Sequence, residues 1–209
     1  MLDGLDAVDW GSLHGCYRSA GEAPQHIRAM LSPSQEVREW GSSELIKAVY
    51  HQGTVYELSA VVVPFLYELL ESDGVPDKGT IAEIIAIVAD GHSFLECHAR
   101  TPESAATWEA ILAKEGKSLA VESAREQMYV AAAKRAVLAK LDVLYPYISD
   151  PEPEVRAAIA QAMGCFPDVA ARLLPDLEAA LRDEPHEYPR SVLEAVVVRV
   201  RKAMSVPGL

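Results

Sequence analysis

The chain is poor in aromatic residues. Only 7% of its 209 residues are Phe, Trp or Tyr, whereas half are hydrophobic, and Ala, Val, Leu and Glu recur in most segments. This composition favours helices over sheets and is apolar enough to bury a sizeable core. We therefore predict an all-α fold.

Cysteines and long apolar runs are also scarce. Cys16, Cys97 and Cys165 are widely spaced and form no CxxC pair, which excludes a regular disulfide framework and suits a reducing compartment. The N-terminal stretch MLDGLDAVDWGSL carries acids where a secretory signal needs a basic region and an apolar core. No apolar run approaches the length of a membrane span. We therefore expect a cytoplasmic protein that does not enter membranes.

Positive charge is the third deficit. The 19 Lys and Arg residues face 31 Asp and Glu, so the formal net charge is -12 and the pI is near 4.9. Surfaces that grip nucleic acid need clustered Lys and Arg, and we therefore expect no nucleic-acid partner. The negative field would steer a basic protein partner favourably, although such acidity also serves solubility alone.

Capping residues and glycines divide the chain into helices. Ser32-Pro33-Ser34-Gln35 follows a capping-box pattern and predicts a helix to about Gln52. Gly53 is then expected as a left-handed helix stop, and Thr54 with Glu57 as the start of the next helix. The stretch LIKAVYHQGTVYEL is thus predicted to be a corner between two helices, with His51 at a helix end.

The rest of the chain shows the same signals for helix starts and helix ends. Further helices are predicted at about 55–71 with a kink at Pro64, from Thr80 to Gly91, from Thr101 to Gly116, and at about 118–147, 150–164, 168–182 and 187–204. The helix before Gly91 is apolar nearly all round and should be central. On the long helix at 118–147, the residues predicted to face inward are Ala124, Met128, Ala131, Leu138, Leu141 and Tyr145.

Two features repeat along the chain. Three prolines each precede by eight positions a short polar residue that ends a helix: Pro24 with Ser32, Pro64 with Ser72, and Pro175 with Asp183. Asp142 and Asp150 have the same interval without the proline, and the tetrapeptides EVRE at 36–39 and EVRA at 154–157 begin four residues after Ser32 and Asp150. The units begin roughly 33 to 40 residues apart, except where a segment at about 92–116 is inserted.

One of these units resembles a known repeat. SDPEPEVRAAIAQAMG, at 149–164, is similar to a HEAT repeat, a two-helix unit with an Asp before the turn and Val-Arg early in the second helix. Ser32 and Ser72 stand where that family has Asp, so the ladder of Asp and Arg that links neighbouring repeats could be interrupted in the N-terminal half.

The resemblance extends to most of the chain. With VDWGSLHGCYRSAGEAP at 8–24 and HQGTVYELSAVVVPFLYELL at 51–70, the sequence resembles bacterial HEAT-repeat proteins that have no assigned function. The resemblance implies a single domain over 1–209, built as an α-solenoid of about four HEAT-like helix pairs. An N-terminal cap is expected at about 1–22 and an insertion at about 92–116.

Candidate metal ligands are present, but their spacing is uninformative. His92, Cys97 and His98 lie close together in GHSFLECHAR, and His14 and Cys16 form a second pair. These spacings match none of the common zinc patterns, so structural roles are favoured and no metal site is predicted. No Ser or Cys has a readable base and orienting acid, and we predict neither a catalytic residue nor a cofactor.

The resemblance leaves several functions open. HEAT-like DNA glycosylases need a basic groove lined with aromatic residues and a catalytic Asp, and the net charge of -12 disfavours that enzyme. We predict a non-enzymatic scaffold or adaptor that binds another protein along its concave face, as a monomer or weak dimer. An acidic immunity or inhibitor protein that neutralises a basic protein toxin is the alternative.

A stripe on the helix at about 34–52 supplies candidate binding residues. Trp40, Glu44, Lys47 and His51 recur at steps of four, three and four, beside the core stripe. In stacked two-helix repeats the second helices line the concave side, where an exposed Trp among charges is typical of an interface anchor. The alternative is that Trp40 packs under the N-terminal segment.

Overall fold

A computed structural model describes residues 1–16 and 20–205, most of which lie in helices that pack against one another. Residues 17–19 of the predicted cap lie outside the described residues. The helices are α1 (Ala23–Ala29), α2 (Gln35–Val49), α3 (Glu57–Glu71), α4 (Lys78–Asp90), α5 (Phe94–His98), α6 (Pro102–Ala113), α7 (Leu119–Leu138), α8 (Leu141–Leu144), α9 (Pro153–Gly164), α10 (Pro167–Ala170), α11 (Leu174–Asp183) and α12 (Glu187–Ser205). The predicted all-α class is confirmed, with one short hairpin added.

The helices pack as neighbouring pairs. Helix α1 packs on α2, α3 on α4, and α11 on α12, while a 3-10 turn at Tyr145–Ser149 packs on α9. The second helices contact one another in chain order, most extensively α4 with α9 and α9 with α12. Helix α3 also packs along α7, and the buried apolar residues of these helices form one hydrophobic core.

Helix α4 lies at the centre of this core. It contacts α2, α3, α7 and α9, and its buried residues include Ile81, Ile84, Ile85 and Val88. The prediction of a central helix ending at Gly91 is therefore confirmed, although α4 begins at Lys78 and not at Thr80.

The corner after α2 differs from the prediction. Helix α2 ends at Val49, and the next residues form a hairpin of strands β1 (Tyr50–His51) and β2 (Thr54–Val55). Gln52 and Gly53 both have positive φ, 49° and 92°, which is the two-residue turn that hairpins prefer. His51 therefore lies in a strand, and the predictions of a helix end there and of a capping box at Thr54 are wrong.

A segment distant in sequence stabilises this hairpin. His92 pairs with β2, since its N–H donates to the Gly53 carbonyl at 2.9 Å and its carbonyl accepts from the Val55 N–H at 3.2 Å. A Cβ on Gly53 would lie 2.0 Å from Cε1 of His92, so both the φ angle and the close approach require glycine. Helix α3 then begins at Glu57, where the Tyr56 N–H donates to Ser59 Oγ at 2.8 Å.

Helix α7 is shorter than predicted and buries a different face. It ends at Leu138, before Lys140 leaves helical backbone geometry, and α8 follows. Its buried residues are Val130, Ala133 and Val137, which lie on the side that packs against α3 and α4. Of the residues predicted to face inward, only Leu141 is buried, whereas Met128 and Leu138 are 69% and 40% exposed.

The segment predicted as an insertion contains α5 and α6. Its start is tied to α7 by the Glu126 carboxylate, which accepts hydrogen bonds from Ser93 Oγ at 2.6 Å and from the Leu95 N–H at 2.8 Å. Thr101 caps α6 as predicted, by accepting from the Ser104 N–H. No residue of α6 is buried.

Candidate functional site: an acidic groove

A groove with a volume of about 450 Å³ lies where α4, α9 and α12 meet. Four carboxylates line it, and all four belong to exposed residues: Asp77, Glu83, Glu152 and Glu154. No Lys or Arg is among the lining residues. Tyr188, which is 63% exposed, adds an aromatic ring at the start of α12. The groove, which we call the acidic groove, is therefore a cation-attracting surface.

Local structure accounts for three of the four carboxylates. Asp77 and Glu152 are the residues before the first turns of α4 and α9, and Glu154 lies in the first turn of α9. Acids at these positions are favoured by the helix dipole. Glu83, in contrast, lies further along α4, where the dipole does not account for it. The sequence signal for Glu152 and Glu154 is the acid-rich SDPEPE at 149–154, which the repeat pattern does not single out as a binding site.

The closeness of α4 and α9 sets the shape of the acidic groove. A Cβ on Gly79 would lie 3.2 Å from Cβ of Glu154, which is tighter than ordinary van der Waals contact. Because Gly79 carries no side chain, the first turns of α4 and α9 pack closely without either helix having to move aside. Their carboxylates consequently face one space.

An arginine ties the loop before α9 to the loop before α12. Arg156 Nε and Nη2 donate to the two carboxylate oxygens of Glu184 at 2.6 and 2.7 Å, and Nη1 donates to the carbonyls of Asp150 and Pro151. The side chains of Arg156 and Glu184 are only 12% and 1% exposed. The hydrogen bonds from Arg156 lower the pKa of Glu184 below its usual value. This pair holds one wall of the groove in place.

The same contact recurs in the N-terminal half. Arg38 Nη1 donates to the carbonyls of Ser32 and Pro33, and Nε donates to Asp77 Oδ2 at 2.5 Å. Arg38 therefore connects its own loop to the loop before α4. The contact that the sequence suggested could be interrupted after Ser32 is made at Arg38, because Asp77 supplies the acid although Ser32 stands in place of Asp.

The predicted binding stripe lies away from the acidic groove. Trp40 packs edge-on against His26 of α1, with ring centroids 5.1 Å apart, and is 43% exposed. Lys47 Nζ donates to Glu44 Oε1 at 2.7 Å, and His51 lies in the hairpin. The residues of α2 that line the neighbouring cavity against α4 are instead Gln35, Arg38, Glu39 and Ser42.

The candidate metal ligands are used in other contacts. His14 Nδ1 lies 3.1 Å from Glu57 Oε2, His92 pairs with the hairpin through its backbone, and His98 stacks on Phe94 with centroids 4.0 Å apart. Arg100 Nη2 lies 3.6 Å from Cys97 Sγ. Among residues 1–16 and 20–205, no group of three or more His, Cys, Asp or Glu side chains could hold a metal ion.

The Cys165 thiol has a strongly raised pKa. Burial, with a smaller contribution from Asp90, raises the pKa of Cys165 to about 12. A thiol with so high a pKa carries almost no thiolate at neutral pH, and thiolate is the nucleophilic form. Cys165 therefore lacks the lowered pKa that makes a thiol nucleophilic.

A scan against protein-family models and searches of curated proteins and of solved structures return no match to this chain. Within the part of the chain that the structure describes, no helix has the length and apolar character needed to cross a membrane.

Proposed function

We propose that this protein is a non-enzymatic binding protein, a solenoid of HEAT-like helix pairs whose acidic groove receives a basic segment of another protein. The single observation that carries the proposal is that four exposed carboxylates line one groove on the row of second helices, and that only Asp77 among them pairs with a cation of the described chain, Arg38. Neighbouring carboxylates repel one another, and a bound Lys or Arg relieves this repulsion by forming charged hydrogen bonds with them.

The repeated arginine contacts support the solenoid part of the proposal. Arg38 and Arg156 occupy the same position in two helix pairs, and each joins its own loop to the next one. Stacked repeats are stabilised by such contacts between neighbours, and their continuous surfaces serve as binding faces.

A basic protein toxin is one partner that the groove would fit, so the immunity-protein function stays within the proposal. A DNA glycosylase fits less well, since the groove presents carboxylates where a phosphate backbone would need cations. Partner binding by Trp40, Glu44, Lys47 and His51 stays a separate prediction, because these residues do not line the groove.

The test is a charge reversal in the acidic groove. A Lys- and Arg-rich peptide is titrated against the wild type and against the double variant Glu83→Lys/Glu154→Lys. The control variant Glu36→Lys/Glu194→Lys makes the same change in net charge at exposed positions outside the groove. We expect the groove variant to bind the peptide at least about tenfold more weakly than the wild type does, and the control variant less than about threefold more weakly. The reason is that charges close to the bound peptide act more strongly on it than distant charges, which are screened by salt.

Equal weakening by the two variants would show that only net charge matters, and it would overturn the groove as the site. Absence of binding by the wild type at low ionic strength would overturn the proposal altogether.

A further inference from the structure

Helix α7 carries an apolar face that nothing in the described structure covers. We call Val121, Ala124, Met128, Ala131 and Leu138 the outer face of α7. Val121 and Met128 are 64% and 69% exposed, and the two alanines are also exposed. The opposite side of α7 is buried against α3 and α4. An exposed apolar stripe opposite a buried face marks an interaction surface, because isolated surface apolar residues do not align in this way.

The spacing of the outer face is that of helix pairing. Val121 and Met128 are seven residues apart, as are Ala124, Ala131 and Leu138, and the two sets are offset by three. This is the a and d pattern through which one helix packs along another, and Arg135 occupies the next a position after Met128. Small Ala side chains at alternate positions let a second helix approach closely. The outer face is therefore suited to an α-helical partner.

The charges around the outer face are positive in a chain that is otherwise acidic. Residues 114–140 contain six Lys and Arg and three Glu, a net charge of +3, whereas the rest of the chain contains 13 Lys and Arg and 28 Asp and Glu, a net charge of -15. Lys134 and Arg135 are exposed and form no ion pair with any described residue.

The three glutamates do not neutralise this surface. Glu126 is engaged with Ser93 and Leu95, and the largely buried Glu122 pairs with Arg125. Glu115 lies in the loop before α7 and pairs with Lys117. The outer face is thus apolar along its centre and cationic toward the C-terminal half of the helix.

We infer that the outer face of α7 binds an amphipathic helix of another protein, one that presents an apolar stripe flanked by Asp or Glu. Its apolar stripe would cover Val121 and Met128, and its carboxylates would pair with Arg135. This surface is distinct from the acidic groove, which attracts the opposite charge.

Two other occupants fit less well. A second copy paired through α7 would offer Arg135 no acid from its own outer face, since none of the five residues of that face is acidic. An anionic membrane suits the cations, but the outer face lacks the large aromatic anchors of membrane-surface helices, and the net charge of -12 would repel anionic lipid.

Two designed helical peptides test this inference. Both carry Leu at the a and d positions, and one has Glu at every flanking position where the other has Lys. Binding to the full chain is followed by fluorescence anisotropy for the wild type, for Met128→Glu and for Arg135→Glu. The control is Val198→Glu on α12, which changes a residue of similar exposure (63%) and introduces the same charge as Met128→Glu.

Because the acidic groove would itself bind the Lys peptide, the two peptides are compared in the variant Glu83→Gln/Glu154→Gln, where the Glu peptide should bind at least about tenfold more tightly than the Lys peptide does. Met128→Glu and Arg135→Glu should each weaken binding of the Glu peptide by about tenfold or more, and Val198→Glu should weaken it by less than about twofold. All three positions are exposed, so circular dichroism should show unchanged folding.

Four results would overturn the inference. These are equal binding of the two peptides, no detectable binding of the Glu peptide, self-association of the wild type that Met128→Glu abolishes, and binding to phosphatidylglycerol vesicles that Met128→Glu abolishes. The third would assign the face to a second copy and the fourth to a membrane. Because the two peptides are compared in the Glu83→Gln/Glu154→Gln variant, binding of a basic peptide to the acidic groove of the wild type does not decide the outcome.

Discussion

The two arginine-centred loops of the molecule share one half of their contacts and differ in the other. Arg38 and Arg156 each donate Nη1 to two carbonyls of the loop before their own helix. Beyond that, Arg156 holds both oxygens of a carboxylate that is 1% exposed, whereas Arg38 holds one oxygen of an Asp77 side chain that is 43% exposed.

This difference shows which part of the arginine contact is the same in the two loops and which part varies. The carbonyl contacts depend only on the arginine and on the path of the loop, so they recur wherever the tetrapeptide recurs. The acid comes from the next loop, whose sequence differs, and it determines how deeply the ion pair is buried. The C-terminal junction should therefore depend more on its ion pair than the N-terminal junction does.

The largest expected effect distinguishes the two arginines. Arg156→Ala leaves the buried Glu184 carboxylate uncompensated and should lower the free energy of unfolding by about 3–5 kcal/mol. Arg38→Ala loses two carbonyl contacts and a half-exposed pair, and should cost about 1–2 kcal/mol. Urea unfolding measures both values.

The control is Arg172→Ala, because its pair with Asp142 is 58% and 83% exposed and should contribute less than about 1 kcal/mol. Equal costs for Arg38 and Arg156 would contradict the proposed difference between the two junctions.

A second, smaller effect concerns the pH dependence at the C-terminal junction. Hydrogen bonds from Arg156 lower the pKa of Glu184 in the folded protein, so this carboxylate stabilises the fold above its ordinary pKa of 4.5 and the stabilisation is lost as the pH falls through the lowered value. Glu184→Gln should cost about 2 kcal/mol at pH 7. The difference in unfolding free energy from the wild type should shrink below about pH 4.5. A difference that is constant from pH 7 to pH 3 would exclude this linkage.

The smallest effect is expected at a third junction. Lys78 follows Ser72 at the offset at which Arg38 follows Ser32, and its Nζ lies 5.5 Å from the ring centroid of Tyr147. Lys78→Gln should cost about 0.5–1 kcal/mol, the usual range of a partly exposed cation–π contact. Lys78→Arg should retain the stability, since Arg also stacks on aromatic rings. A loss above about 2 kcal/mol for Lys78→Gln would mean that this lysine has a further structural role.

Local signals predicted much of the fold. The all-α class, the central position of α4 and most helix positions followed from apolar periodicity, capping residues and glycines, all of which act within a few residues. The equal offset of EVRE and EVRA was also visible, and the structure places Arg38 and Arg156 in matching contacts.

Features that depend on distant partners were missed. The hairpin at Tyr50–Val55 is completed by pairing with His92, which lies far along the chain, so the local pattern suggested two helices joined by Gly53. Helix α7 has two apolar stripes, and the sequence does not say which one packs; α3 and α4 take the stripe with Val130 and Val137. The acidic groove was missed because its residues come from three helices.

The bare backbone at Gly79 gives the acidic groove a property that its charges do not control. Since one hydrogen atom stands where α4 and α9 meet, the distance between their first turns is set by a residue that carries no charge. A side chain there would require Glu154 or the two first turns to move by a few tenths of an ångström. Gly79→Ala therefore changes the spacing of the two helix starts without altering an acidic residue, which separates the effect of groove width on peptide binding from the effect of groove charge.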